Sequence, residues 1–417
     1  MTENPKPGYN NTEIMGIPHD WAIKKLSEVG KFINGCAFKP SDWKKSGIPI
    51  VRIQNLNDTQ AEFNYFDGDI DKKYILDDGD LLLSWSASLG VYLWQGGKAV
   101  LNQHIFKVIP EEVVDKLFLF YMLHKTIEIL KRRVHGSTMR HFKKRELDAT
   151  EIALPPLQEQ QKIASILSTA DDAIQKTDAI IAKTEELKKG LMQELLTRGI
   201  GHTRFKKTEI GEIPEEWDTK KLGEISINKP EYGANVPAID HSQDLPRYVR
   251  ITDITTNGKL SEDEPKSIKS EDAINYILKE GDLVFARSGA TVGKTYLYRS
   301  SDGLCAFAGY LIRFKPNTKI IQPDFLFYYT HSDYYYTWVK QKLRPTAQPN
   351  INAKEYATLN LPVPTLSEQR KISDILYTAD KKIEIERQRK EKLNKLKKGL
   401  MQVLLTGKIR VKIGDDA

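Results

Sequence analysis

Between Lys131 and Arg145 the chain places Lys131, Arg132, Arg133, Arg140, Lys143, Lys144 and Arg145 with no aspartate or glutamate among them. Gly136, Ser137 and Thr138 lie at the centre of this run, with His135 and His141 in the same basic loop. Guanidinium and ammonium groups at such density contact phosphates. A second run carries Lys340, Lys342, Arg344 and Lys354, interleaved with Thr346, Gln348, Asn350 and Asn352. Arg, Gln and Asn can also read base edges in the major groove. The candidate nucleic-acid contacts are therefore Arg132, Arg133, Ser137, Thr138, Arg140, His141 and Lys143 in the first run. In the second they are Lys342, Arg344, Thr346, Gln348 and Asn350. A basic run by itself is usually a solvated face; the same loop being basic or amide-rich twice is what points to a polyanion.

A third stretch, Arg287-Ser288-Gly289-Ala290-Thr291-Val292-Gly293-Lys294-Thr295, adds Arg287, Ser288 and Lys294 to the candidates. It resembles a phosphate-binding loop, but that loop needs a glycine where Ser288 stands. A strand–turn–strand with glycines at positive φ accounts for it, and for the stretch Ser86 to Gly90. No H-E-x-x-H, G-x-S-x-G or G-x-G-x-x-G occurs, and the eight histidines show no ligand spacing. Cys36 and Cys305 stand far apart, which argues against a disulfide framework or a zinc site. Neither a catalytic residue nor a metal ligand is expected. The net charge of +7 permits a polyanionic partner without requiring one.

These stretches sit inside a duplication. Leu157 to Ile200 aligns without a gap on Leu366 to Ile409, and Lys188-Lys189-Gly190-Leu191-Met192-Gln193 returns as Lys397-Lys398-Gly399-Leu400-Met401-Gln402. Earlier matches drift: Thr12-Glu13-Ile14 meets Thr208-Glu209-Ile210, Val51-Arg52-Ile53 meets Val249-Arg250-Ile251, and Gly79-Asp80-Leu81 meets Gly281-Asp282-Leu283. Small insertions therefore fall within a globular unit, whereas the tail tolerates none. That tail has apolar residues at Ile163, Ile166, Leu167, Ala170, Ala173, Ile174, Ile180, Ile181, Leu187, Leu191 and Leu195. The three-four spacing predicts a coiled-coil seam, entered at Pro155-Pro156 and left at Gly199. The second copy puts Lys382, Glu386 and Arg389 in the middle of its stripe. Each helix is ~60 Å long and needs a partner; the natural one is the other copy, antiparallel.

The fold class that follows is α+β: two mixed α/β units joined by two long helices in an antiparallel, pseudo-twofold coiled coil. Residues 1–157 and 201–366 form the globular units, and residues 158–200 and 367–410 the helices. Strands are expected at Ile50 to Ile53 and Tyr248 to Ile251, Asp80 to Trp85 and Asp282 to Ala286, and Ile105 to Ile109 and Tyr310 to Phe314. Helices are expected at Leu117 to Lys131 and Asp324 to Lys340. The polar start and the absence of a long apolar stretch suggest a soluble, cytoplasmic protein without a membrane partner.

At this point the residues resemble a family. Divergent units that end in a Pro-rich step, then Leu157-Gln158-Glu159-Gln160 or Leu366-Ser367-Glu368-Gln369, then a helix closing on Lys-Lys-Gly-Leu-Met-Gln, are similar to the specificity subunit of type I restriction-modification systems. The Thr-Glu-Ile…Ile-Pro…Trp openings at Thr12 and Thr208 match as well. The resemblance implies two target-recognition domains, each reading half of an interrupted, asymmetric site in double-stranded DNA. The helices would set the spacing and dock two methyltransferase subunits, and a nuclease-translocase subunit would join that core. S-adenosylmethionine, ATP and magnesium would then belong to the partners, with no cofactor on this polypeptide. Ser84-Trp85-Ser86 against Ala286-Arg287-Ser288 implies that the two domains read different bases.

Overall fold

The computed structural model describes residues 9–10, 17–58, 60–86, 88–133, 144–343 and 349–413. The chain divides into two compact units, Met1–Asp178 with Gln388–Ala417, and Ala179–Arg387. Each of the two long helices, Leu157–Leu195 and Leu366–Leu404, contributes residues to both units. No described helix is long and apolar enough to cross a membrane.

Unit 1 is built on β1 (Gly30–Asn34), β2 (Ile48–Val51), β3 (Leu81–Ser84), β4 (Gly90–Leu93), β5 (Ala99–Leu101) and β6 (Ile105–Pro110). One sheet runs β1-β6-β3-β4 and is antiparallel throughout. The other sets β2 parallel to β5, with Asn64–Phe66 and Ile75–Leu76 at its edges. All four residues of β3 are buried, as expected of a strand covered on both faces. Leu81 and Leu83 share a core with Phe118, Leu119 and Met122 of α1 (Lys116–Arg133), while Leu82 shares one with Ile105 of β6 and with Val51 and Leu101 of the second sheet. Burying each such leucine contributes about 1.5–3 kcal/mol.

Unit 2 repeats the plan with β7 (Glu231–Tyr232), β8 (Arg247–Val249), β9 (Leu283–Ala286), β10 (Thr295–Leu297), β11 (Cys305–Phe307) and β12 (Leu311–Phe314). The antiparallel sheet is β7-β12-β9-β10, and β8 lies parallel to β11. The second sheets differ at their edges, because unit 2 stacks Lys266–Ser267 and Ile239–Asp240 on one side of β8. Two expectations need correction. The helix expected over Asp324 to Lys340 is two, α2 (Pro323–Tyr329) and α3 (Asp333–Lys342). Ser332 interrupts it by capping α3, its Oγ accepting from the Tyr335 amide at 3.2 Å. The strands expected to reach Ile53 and Ile251 stop at Val51 and Val249, and Ile53–Asn57 is a short helix.

Within each unit the two long helices run antiparallel. In unit 1, Lys397 meets Asp171 at 2.5 Å and Lys390 meets Asp178 at 2.6 Å; in unit 2, Lys188 meets Asp380 and Arg387 meets Glu185, both at 2.6 Å. The seam keeps a stricter heptad than apolar residues alone suggest. Thr177 and Thr184 are buried on it, their hydroxyls donating to the carbonyls of Ala173 and Ile180, while Leu187 is 59% exposed. In the second helix Lys382 and Arg389 are exposed and off the seam, which passes instead through Ile383.

The Leu-x-Glu-Gln steps have a structural purpose. Glu159 Oε2 accepts from the Trp21 indole at 2.9 Å, and Glu368 Oε2 from the Trp217 indole at 3.0 Å. Gln160 and Gln369 each bind the chain on both sides: their Nε2 groups donate to Pro155 and Pro364 carbonyls at 2.8 Å, and their Oε1 atoms accept from the Asp115 and Gln322 amides. The glutamates differ in their second partner. Arg410 doubly hydrogen-bonds Glu159, whereas His202 Nε2 lies 2.9 Å from Glu368 Oε1.

Each unit is also tied to the long helices by one tyrosine. Tyr121 donates to Asp171 Oδ2 at 2.7 Å with Lys397 over its ring, and Tyr328 donates to Asp380 Oδ2 at 2.9 Å with Lys188 over its ring. Beside them, burial, followed by the nearby lysine for His124, holds the His124 and His331 imidazoles down at about 4.

Candidate nucleic-acid interface

In both units the C-terminal ends of four core strands are knitted into one rim by backbone hydrogen bonds. In unit 1 the Cys36 amide donates to Leu101 O, Gln103 to Cys36 O, Asn102 to Val51 O and Trp85 to His104 O, at 2.8–3.1 Å. Unit 2 repeats this bond for bond: Ala234 to Phe307 O, Gly309 to Ala234 O, Ala308 to Val249 O and Arg287 to Tyr310 O, at 2.6–3.0 Å. The weave needs a glycine at one point. A Cβ on Gly35 would sit 2.1 Å from Asn102 O, and one on Gly233 would sit 2.3 Å from Ala308 O.

On this shared backbone the side chains differ. Unit 1 presents Asn34, Arg52, Trp85 and His104; unit 2 presents Tyr232, Arg250, Arg287 and Tyr310 at the matching positions. The Trp85 indole donates to Asn34 Oδ1 at 3.1 Å, and its ring lies 5.1 Å from that of His104. His104 holds a φ of +75°, uncommon for a residue with a side chain, and its Nδ1 is buried without a hydrogen-bond partner among the described residues. In unit 2 the Arg287 guanidinium lies 4.9 Å over the Tyr232 ring, its Nε donating to Asn350 Oδ1 at 3.3 Å, and Tyr310 is 62% exposed. Amides, a guanidinium, an imidazole and tyrosine hydroxyls on a rigid edge are groups that hydrogen-bond base edges, and the aromatic rings add stacking area.

The structure brings together three of the residues singled out from sequence. Ser288 forms an antiparallel bridge with Asn350, and Arg287 completes the group. Lys294 is directed elsewhere: its Nζ donates to Ile254 O at 2.9 Å inside the unit. Lys342 is packed on the Trp338 ring, 5.5 Å from its centre. Arg132 and Arg133 close α1. Ser137, Thr138, Arg140, His141 and Lys143, and Arg344, Thr346 and Gln348, lie outside the described residues. The phosphate-loop look-alike is a hairpin, with φ of +71° at Gly289 and +88° at Gly293. The Gly293 amide donates to Ala286 O and Tyr356 Oη, so it is engaged within the fold. In unit 1 the hairpin forms without a positive φ at Gly90, contrary to expectation.

Asn34, Arg52, His104, Tyr232 and Tyr310 were not singled out from the sequence. Each stands next to or at a strand end in a register that recurs between the repeats, and that recurrence is the signal that could have found them.

A family model described as the type I restriction modification DNA specificity domain matches residues 18–186 and again 214–395. The chain is 33% identical over 412 residues to the type I restriction enzyme MjaVIII specificity subunit of Methanocaldococcus jannaschii, covering 95% of this chain and 94% of that one. It is 26% identical to the EcoBI specificity subunit of Escherichia coli over 87% of this chain and 80% of that one. Among solved structures, the S subunit of a type I restriction-modification system from M. genitalium superposes with a TM-score of 0.60 at 15% identity, covering 99% of both chains, a likeness of fold. The chain belongs to the type I restriction-modification DNA specificity family.

Proposed function

We propose that this chain is the sequence-reading polypeptide of a type I restriction-modification complex. Unit 1 reads one half of an interrupted, asymmetric site in double-stranded DNA, and unit 2 reads the other. The chain is not itself catalytic: it positions two methyltransferase subunits, through which a nuclease-translocase subunit joins, and those partners carry S-adenosylmethionine, ATP and magnesium. The long helices set the half-site spacing, and the complex works in the cytoplasm. The observation that carries this reading is the rim: one backbone weave, made twice, bearing different polar and aromatic side chains each time. A scaffold constant in geometry and variable in hydrogen-bonding groups is what two different base readings require.

Mapping methylated bases in a host that carries this chain with its methyltransferase partner tests the proposal. A single bipartite motif with two unlike halves is the expected result. Turnover by the purified chain alone would indicate an enzyme instead, and duplex binding without salt dependence would remove the DNA role.

A further inference from the structure

In both units the residue after the parallel strand is an arginine, Arg52 after β2 and Arg250 after β8. Three residues on, a side-chain oxygen caps that arginine's amide: Asn55 Oδ1 at 3.1 Å in unit 1 and Asp253 Oδ2 at 2.8 Å in unit 2. The two caps differ in charge, and that changes the arginine. Asp253, its side chain 4% exposed, also takes the Arg250 guanidinium, with Nε at 3.1 Å and Nη2 at 2.6 Å. Nη2 of Arg250 further donates to Glu264 O at 3.1 Å. The guanidinium of Arg250 is thus engaged within the fold.

Asn55 offers Arg52 no such hold. Its Nδ2 donates to the carbonyls of Ala61 and Glu62, both at 3.2 Å. Among the described residues no ion pair holds Arg52, and its Nε is buried without a hydrogen-bond partner. The guanidinium instead lies 5.1 Å over the Trp43 ring. At the neighbouring strand end the assignment reverses: unit 1 has Trp85 where unit 2 has Arg287, the guanidinium on the Tyr232 ring. Each unit therefore carries a partly exposed arginine laid on an aromatic ring beside the rim, at a different strand end in each.

We propose that Arg52 is a specificity-determining residue of unit 1 that takes the N7 and O6 acceptors of a guanine in its half-site. The proposal rests on the reading of the chain as a DNA-specificity polypeptide. A guanidinium whose face is covered by an indole can offer only its edge, and the paired acceptors of guanine in the major groove fit that edge. The aromatic support fixes the fork in advance, so less freedom is lost on binding.

The test uses the full chain in complex with its methyltransferase subunits and reads the modified motif genome-wide. The unaltered complex comes first: without a bipartite motif, the DNA-specificity reading itself fails, independently of Arg52. Given that motif, Arg52→Ala and Arg52→Lys should lower the preference for guanine at one position, in one half only, by roughly 10- to 100-fold. Asn55→Asp, which installs the cap that unit 2 already accommodates, should relax the same position with thermal stability unchanged or raised. It keeps the test decisive if Arg52→Ala fails to fold. An unchanged motif in Arg52→Lys and Asn55→Asp overturns the proposal. So does a uniform loss of modification with every motif position preserved, since that is the behaviour of a phosphate contact.

Discussion

Replacing Arg410 with alanine should destabilise unit 1 and leave unit 2 untouched. Arg410 gives Glu159 two hydrogen bonds, Nε to Oε1 and Nη2 to Oε2, both at 2.8 Å, and pairs with Asp20 at 2.7 Å. The Glu159 side chain is 0% exposed, so removing its cation leaves a buried carboxylate served by the Trp21 indole alone. Breaking a buried pair by deleting one partner costs about 3–5 kcal/mol. Arg410 is itself 38% exposed, and water entering its place returns part of that. The Asp20 contact, half exposed, adds about 0–1 kcal/mol. The net expectation is about 2–4 kcal/mol, equivalent to a drop of ~5–15 °C in the melting of a unit of this size. Hydrogen exchange followed by mass spectrometry, read separately over the two units, measures it where a single melting curve would blend them. Adding Glu159→Gln to the Arg410→Ala variant should restore most of the loss, because a neutral amide can still accept from Trp21 and no longer leaves a charge uncompensated. A double variant as unstable as Arg410→Ala, or a single variant within 0.5 kcal/mol of the parent, by the conversion ~1.4 kcal/mol per tenfold, would refute the argument.

Acid should weaken both units through His124 and His331. Their folded imidazoles titrate at about 4 against 6.5 unfolded, so the stability they contribute is complete above pH 6.5 and is lost as pH falls toward 4. Roughly 1–3 kcal/mol per histidine is at stake, and the His124→Gln/His331→Gln variant should show a flatter profile between those limits; an unaltered slope counts against it. Gly35→Ala should abolish recognition of the half-site read by unit 1 while base preferences in the other half persist. Gly190→Ala, whose Cβ would meet nothing within 4 Å, should stabilise by about 0.5–1 kcal/mol; methylation mapping and denaturant melts distinguish the two. Seven residues inserted after both Asp178 and Arg387 keep the heptad and add ~10 Å of helix, so the half-sites should move apart by about three base pairs, and a motif altered within either half would contradict the proposed division of labour.

The duplication, the helices and the hairpins were legible in the sequence because each is local or periodic. Burial on both faces makes β3 and β9 continuous apolar runs between turn signals, and a period can be counted without knowing the partner. The seam was misread at Leu187 and Lys382 for a related reason: residue type was weighed above strict spacing, and a threonine with its hydroxyl bonded to its own helix is a tolerable buried residue. Lys294 shows a second limit. A lysine near a glycine turn reads as a phosphate contact, but nothing local reveals that its amine ends on Ile254 O. The rim was hidden because Asn34, Arg52, Trp85 and His104 are distant in sequence and are gathered by backbone bonds between strand ends that no local pattern reveals. The contrast between Arg52-x-x-Asn55 and Arg250-x-x-Asp253 went unremarked although it is local, because its meaning depends on which groups the folded cap reaches.

The tyrosine ties carry a consequence for how such a gene can change. Unit 1 is fastened by an acid from the first long helix and a lysine from the second, and unit 2 by a lysine from the first and an acid from the second. Each helix thus carries both halves of the fastening, one toward each unit, within segments that align without a gap and share about half of their residues. A globular segment exchanged for a foreign one would find the same sockets waiting, provided it brought its own tyrosine on the helix that meets them and a histidine three residues further on. Heredity can therefore rewrite what the polypeptide recognises by moving whole cassettes, while the framework that receives them is transmitted unaltered.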